Sequence, residues 1–149
     1  MNKEFMKIAI KEAEKAAKEG EIPVGAVIVK NGEIIAKGRN TREKEQSALG
    51  HAEINAIKKA CKKLGSWRLD DCEIYVTMEP CPMCAGAIIN ARIPTVVFGS
   101  FDAKMGAFDS KTNLAALGFD FAPEIYAGIC EVECTEIVKN FFKGIRNDK

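Results

Sequence analysis

Apolar and polar residues alternate along this chain with several different periods, and each change of period marks a new element. From Met1 to Gly20, Phe5, Ile8, Ala9, Ala13 and Ala16 recur among lysines and glutamates at three- and four-residue spacing, which predicts an amphipathic helix. Gly20-Glu21-Ile22-Pro23 breaks that pattern. Val24 to Val29 then reads as a β-branched strand that turns at Asn31-Gly32 into a return strand from Glu33 to Gly38. The polar stretch from Arg39 to Gly50 has no regular period and reads as a loop. A helix begins near His51, carries Ile54, Ala56, Ile57, Ala60, Cys61 and Leu64 on its apolar side, and stops at Gly65. A third strand from Glu73 to Met78, a buried helix from Cys81 to Ala91 and a fourth strand from Thr95 to Gly99 follow. Residues 100–123 read as loop with a short helix at Asn113 to Leu117, then a short strand at Glu124 to Ala127 and a last helix from about Val132 to Ile145. Strands alternating with helices predict an α/β fold with right-handed crossovers, and no repeat, linker or low-complexity tract interrupts it.

Composition narrows the class. A chain of 149 residues with 47% hydrophobic content is long enough for one domain, residues 1–149, with a full core and no covalent staples. The lysine- and glutamate-rich N-terminus is unlike the apolar run of a signal peptide, so a soluble, cytoplasmic protein with no membrane partner is expected. Twenty-two basic residues against 21 acidic ones give a formal charge of +1, so there is no global basic field and any nucleic-acid contact must be local. In a reducing compartment the six cysteines do not imply disulfides; Cys61, Cys72, Cys130 and Cys134 read most simply as buried small apolar residues.

The remaining two cysteines carry the chemistry. The single histidine, His51, opens the run His51-Ala52-Glu53, and Pro80-Cys81-Pro82-Met83-Cys84 follows one predicted helix and strand later. One imidazole and two thiolates form a known three-ligand zinc set that leaves a fourth position free, and the spare carboxylate of Glu53 suits a proton shuttle. Both pieces fall at the first turn of a predicted helix, where unpaired backbone N–H groups favour thiolates at Cys81 and Cys84. Alone, Cys-x-x-Cys is also a redox pair or half of a structural zinc knuckle. Together and in this order the residues match the H-x-E…P-C-x-x-C signature of zinc deaminases, with one zinc per subunit.

With those motifs the chain resembles the cytidine-deaminase superfamily, and more closely its branch of bacterial tRNA adenosine deaminases, over almost its whole length. Further matching stretches are Ile22-Pro23-Val24-Gly25-Ala26, Asn40, Tyr75 to Cys81, Cys84-Ala85-Gly86-Ala87, Arg92-Ile93, Val96 to Gly99, Asp102-Ala103-Lys104-Met105-Gly106 and the Phe141-Phe142 pair. The resemblance implies a three-layer α/β/α fold with a five-stranded mixed central sheet, a homodimer with active sites near its interface, and hydrolytic conversion of the wobble adenosine of a tRNA anticodon stem-loop to inosine. It implies a flipped nucleotide, with His51, Cys81 and Cys84 on the metal and Glu53 as the catalytic acid/base. Asn40 and Val24 would meet the target nucleoside, the Ala52 backbone would orient the base, and Asp102 would meet the neighbouring sugar. Lys104 and Lys111, with Lys139, Lys143 and Arg146, would contact phosphates, and Phe141 and Phe142 would lean on the RNA or belong to the core. From position alone, Asn40 is equally a turn residue and Asp102 a loop cap.

The chain departs from that branch at Ser47-Ala48-Leu49-Gly50 before His51, at Phe101, and at Ala107-Phe108-Asp109-Ser110. These changes border the pocket, and they keep open a second reading: deamination of a free nucleobase or nucleoside of guanine, cytosine or adenosine type, with residues 101–110 closing over it. From other classes, a non-catalytic zinc-binding partner subunit and a redox module remain alternatives.

Overall fold

Asn31 and Gly32 both take positive φ, 52° and 78°, the backbone that a two-residue hairpin turn demands. They join β1 (Gly25–Lys30) to β2 (Glu33–Arg39). The computed structural model describes residues 2–147, and side chains as far as residue 145. Before the hairpin lies α1 (Lys3–Lys18), whose first turn is capped by the Asn2 side chain accepting from the Glu4 N–H at 2.9 Å. After it come α2 (Arg42–Glu45), α3 (Ala52–Leu64), β3 (Cys72–Met78), α4 (Pro82–Asn90) and β4 (Thr95–Ser100). A 3₁₀ turn (Leu114–Ala116), β5 (Glu124–Ala127) and α5 (Glu131–Asn147) complete the order.

The strands form one five-stranded mixed sheet in the order β2-β1-β3-β4-β5. β1 is antiparallel to both its neighbours, while β3, β4 and β5 run parallel. Because side chains alternate across a strand, the sheet has two buried faces. Ala26, Ile28, Ile74, Val76, Val96 and Phe98 point to the face covered by α3 and α4. Val27, Val29, Tyr75 and Val97 point to the other, under α1 and α5. This is the expected three-layer α/β/α arrangement. α3 lies so close to β2 that a Cβ at Gly38 would collide with the Ala52 carbonyl and the Ala56 N–H.

The short helix expected at Asn113 to Leu117 is present as the 3₁₀ turn, its N-cap Asn113 side chain accepting from the Ala115 N–H at 3.0 Å. Two expectations need correction. Residues 39–50 are not wholly loop, since they contain the one-turn helix α2. Of the four remaining cysteines, Cys72 and Cys134 are buried, but Cys61 and Cys130 are only partly so.

The topology decides where the site lies. The parallel pair β3 and β4 ends at Met78 and Ser100 on one edge of the sheet. The antiparallel β1 begins on that same edge at Gly25, opposite Arg39 at the end of β2. Val24, Asn40, Glu79 to Cys81 and Asp102 therefore converge there, although up to 78 positions separate them.

Candidate active site

His51 and Cys81 occupy equivalent positions, each the N-cap of a helix in extended conformation, with φ/ψ of −96°/150° and −75°/174°. Pro82 at the first position of α4 fixes the helical φ where no backbone donor is needed, and Cys84 follows on the same turn. The two helix starts face one another. His51 Nδ1 lies 3.7 Å from Cys81 Sγ and 3.4 Å from Cys84 Sγ, and all three donor atoms lie within 4.8 Å of one another. Tetrahedral bonds of about 2.0–2.3 Å to nitrogen and sulfur place such donors about 3.5–3.8 Å apart, so the set fits one metal ion. The three donors also lie within hydrogen-bonding reach of one another. The Cys81 thiol is brought down to about 4 by its bond with Cys84, against the effect of burial and with help from His51. Cys84, the proton-bearing partner, is pushed strongly up. The His51 imidazolium is favoured by its bond with Cys81, against burial and aided by the charge of Glu53.

Glu53, in the first turn of α3, is 4% exposed. Burial, reinforced by the negative Cys81, pushes its carboxyl up to about 7, against the local backbone hydrogen bond and the His51 charge. It faces a cavity of about 360 Å³ that also takes in His51 and Cys81, while Cys84 is completely buried behind them.

Of the residues expected to meet substrate, Val24, Asn40 and Asp102 line this cavity; Ala52 and Lys104 do not. The Ala52 N–H donates to Asn40 Oδ1 at 2.9 Å, and its carbonyl lies against Gly38, so its backbone is engaged within the protein. Asn40 Nδ2 donates to the Ile22 carbonyl at 2.9 Å, which leaves one amide N–H free. Asp102 Oδ1 accepts the N–H groups of Lys104 and Met105 at 3.1 and 3.2 Å, so it is a loop cap as well as a wall residue. The exposed Lys104 side chain belongs to the surface beside the cavity. Lys111, before the 3₁₀ turn, and Lys139 and Lys143 on α5 are exposed, and Arg146 lies outside the residues with described side chains. Phe141 and Phe142 stack edge to face at 5.5 Å, with Phe142 42% exposed.

Five wall residues carry no role in the sequence reading: Ile22, Arg42, Met78, Glu79 and Met105. Ile22, Met78, Glu79 and Met105 lie inside the matching stretches named above, which was the available signal; Arg42, the first residue of α2, lies in none of them. Among the departures noted above, Ala107 and Phe108 turn into the core at 0% and 1% exposure, and Phe101 packs edge to face on Phe98 at 5.2 Å. Glu79 is buried; burial alone would raise its carboxyl, but the hydroxyl and amides it accepts from hold it below the usual glutamate range.

The profile of the MafB19-like deaminase family matches residues 1–146. The chain is 49% identical over 146 residues to the tRNA-specific adenosine deaminase of Bacillus subtilis (strain 168), covering 97% of this chain and 91% of that one. A solved structure from a study of A-to-I editing by tRNA:A34 deaminases at the wobble position of transfer RNA superposes with a TM-score of 0.89 at 40% identity, covering 91% and 99% of the two chains. A guanine deaminase from Bacillus subtilis superposes with a TM-score of 0.64 at 47% identity over 68% of this chain and 66% of that one.

Proposed function

The chain belongs to the MafB19-like deaminase family, and we propose that it is a zinc-dependent hydrolytic deaminase that converts the wobble adenosine of a tRNA anticodon to inosine. The observation that carries the chemistry is the meeting of His51, Cys81 and Cys84 beside buried Glu53 at one cavity. The 49% identity to a tRNA-specific adenosine deaminase supports the substrate.

His51 through Nδ1, with Cys81 and Cys84, would hold one zinc ion per subunit and leave a fourth position open. When bound, zinc supplies the Lewis acidity that makes water a nucleophile near neutral pH. Glu53 is the proton carrier. Its burial keeps the neutral and charged forms close in energy, so the carboxylate takes a proton from the attacking water and returns it to the departing amino nitrogen as ammonia leaves C6 of the purine. The flipped base enters the cavity between Val24, Ile22 and Met78, which exclude water. Asn40 offers its free N–H to the nucleoside, with the Ala52 N–H holding the amide in that orientation. Asp102 keeps Oδ2 for the neighbouring sugar, and Lys104 on the same loop meets phosphate.

The proposal includes one deaminase domain over residues 1–149, acting as a homodimer in the cytoplasm. Phe119, 54% exposed, gives with Leu114 an apolar surface for the second copy beside Gly86 and Ile89 of α4. No helix among the described residues is long and apolar enough to cross a membrane.

Likeness to a guanine deaminase favours one alternative, a free-base substrate, though over a smaller part of the chain. One assay separates them. Zinc-loaded protein is incubated with an anticodon stem-loop and, separately, with guanine, cytosine, adenine and their nucleosides. Inosine only at the wobble position is the expected result; turnover of a free base with no RNA product overturns the tRNA reading.

A further inference from the structure

Glu79 lies between the end of β3 and Pro80, and the chemistry described above makes no use of its side chain. Its carboxylate is 2% exposed, and no lysine or arginine forms an ion pair with it among the described residues. A buried anion without a counter-cation has to be held by hydrogen bonds. Oε1 accepts from the Asp102 N–H at 3.0 Å and from the Ser110 hydroxyl. Oε2 accepts from the Ser110 N–H at 2.8 Å and the Phe108 N–H at 3.3 Å. Those bonds use the full acceptor capacity of a carboxylate, and every donor belongs to residues 102–110.

The loop is therefore wrapped round an anion, its amides converging as in other backbone anion nests. Gly106 makes the wrapping possible, since a Cβ there would stand in the space the carboxylate occupies. Two backbone bonds tie the same pieces: the Ala107 N–H to the Pro80 carbonyl at 2.9 Å and the Glu79 N–H to the Ser100 carbonyl at 2.8 Å. The part of the loop that faces the cavity, Asp102 and Met105, has no such burial of its own; Met105 is 54% exposed.

We propose that Glu79 is a positioning residue: its carboxylate is the anchor on which residues 102–110 are assembled, and through them it sets Asp102 and Met105 at the cavity mouth before substrate arrives. The proposal rests on the reading of this cavity as the substrate site. A wall ordered in advance raises affinity because the cost of ordering it is met during folding rather than during binding. Loss of the anchor should then weaken substrate binding and leave the chemical step and the metal ligands in place.

The test approaches the contact from both sides. Glu79→Gln turns an amide NH₂ toward donors that need an acceptor, Gly106→Ala pushes a methyl group onto the carboxylate, and Ser110→Ala removes one bond only. Expected for Glu79→Gln and Gly106→Ala is a KM for the anticodon stem-loop raised about ten-fold with kcat within about three-fold, as losing one or two net hydrogen bonds of binding free energy implies. Zinc content should be unchanged, and hydrogen exchange at the amides of Asp102, Phe108 and Ser110 should be faster, with Ser110→Ala intermediate. Wild-type exchange in these variants overturns the proposal, as does a fall in kcat or zinc content at constant KM, which would place the effect on Cys81. If Glu79→Gln does not fold, Gly106→Ala and Ser110→Ala decide by the same readouts. Exchange needs no substrate, so it still decides the anchor if the wild type fails to make inosine, an outcome that counts against the functional reading instead.

Discussion

The side-chain carbonyl of Asn40 accepts the backbone N–H of Ala52 at 2.9 Å, joining the end of β2 to the first residue of α3, next to His51. The same side chain donates to the Ile22 carbonyl at 2.9 Å. One amide thus braces two walls of the cavity and has a single N–H left for a ligand. Asn40→Asp keeps the acceptor for Ala52 and loses both donors, whereas Asn40→Ala loses everything. We expect both to lower kcat/KM for the stem-loop by about 100-fold, and only Asn40→Ala to lose a further ~1–2 kcal/mol of stability through an unpaired Ala52 N–H, read by denaturant unfolding. Equal stability of the two variants would show that the brace contributes nothing.

Glu53→Gln removes the proposed proton carrier and keeps its size. Activity should fall by about 10³-fold, within the usual range for a general acid/base, while zinc content and stem-loop affinity stay at wild-type values. Retained turnover would remove Glu53 from the mechanism.

Metal removal should abolish turnover and lower thermal stability together. His51, Cys81 and Cys84 come from two separate helix starts, so one ion held by them would tie α3 to α4. Zinc present at 100 times its Kd stabilises the folded state by about 2.7 kcal/mol, so a chelator should lower Tm by several degrees and added zinc should restore both properties. Cys84→Ala should show the low Tm with or without zinc.

Glu21 repeats, on the opposite lip, what Glu79 does on the first. Its buried carboxylate accepts the Glu43 and Lys44 N–H groups at 3.0 and 2.8 Å, holding the first turn of α2 and with it Arg42 at the cavity. Glu21→Ala should cost about 1–3 kcal/mol by leaving those amides without an acceptor, and hydrogen exchange should quicken at residues 43 and 44 first. Uniform quickening across the protein would point to general loss of packing.

Cys134 ties stability to alkaline pH. Burial of its thiol, under α5 against β4, pushes it up to about 12 from the ordinary 9.0. The folded chain keeps the proton while the unfolded chain gives it up, so the stabilisation is complete below pH 9.0 and disappears as pH rises toward about 12. At pH 10 the loss is on the order of 1 kcal/mol relative to Cys134→Ala, which lacks this dependence. Parallel stability-pH curves for the two proteins would reject it.

Much of the architecture was legible because its causes are local. The Asn31-Gly32 turn, the alternation of β1, β3 and β4, Pro82 at a helix start and Gly65 at a helix end act within a few residues, and each expected element there appears within one or two positions. α2 was not legible. It has four residues, none buried, and its N-terminal amides are satisfied by Glu21, 22 and 23 positions earlier, so no window along the sequence contains its cause.

The site divides in the same way. By itself the sequence pointed to the candidate donor set, one imidazole and two thiols at the starts of two helices with a carboxylate beside them, because ligand type and helix-start signals are properties of short segments. Only the tertiary structure decided that Nδ1 of His51 faces both sulfurs, that Glu53 is buried enough for its proton to be shared near neutral pH, and that the Ala52 backbone turns from the cavity to hold Asn40. It also decided that Glu21 and Glu79, acidic residues in irregular stretches, lie under the two lips as buried anchors. Burial and the sharing of one carboxylate among distant amides depend on which ends of β1, β2, β3 and β4 meet at one edge of the sheet, and that pairing brings together residues far apart in the chain.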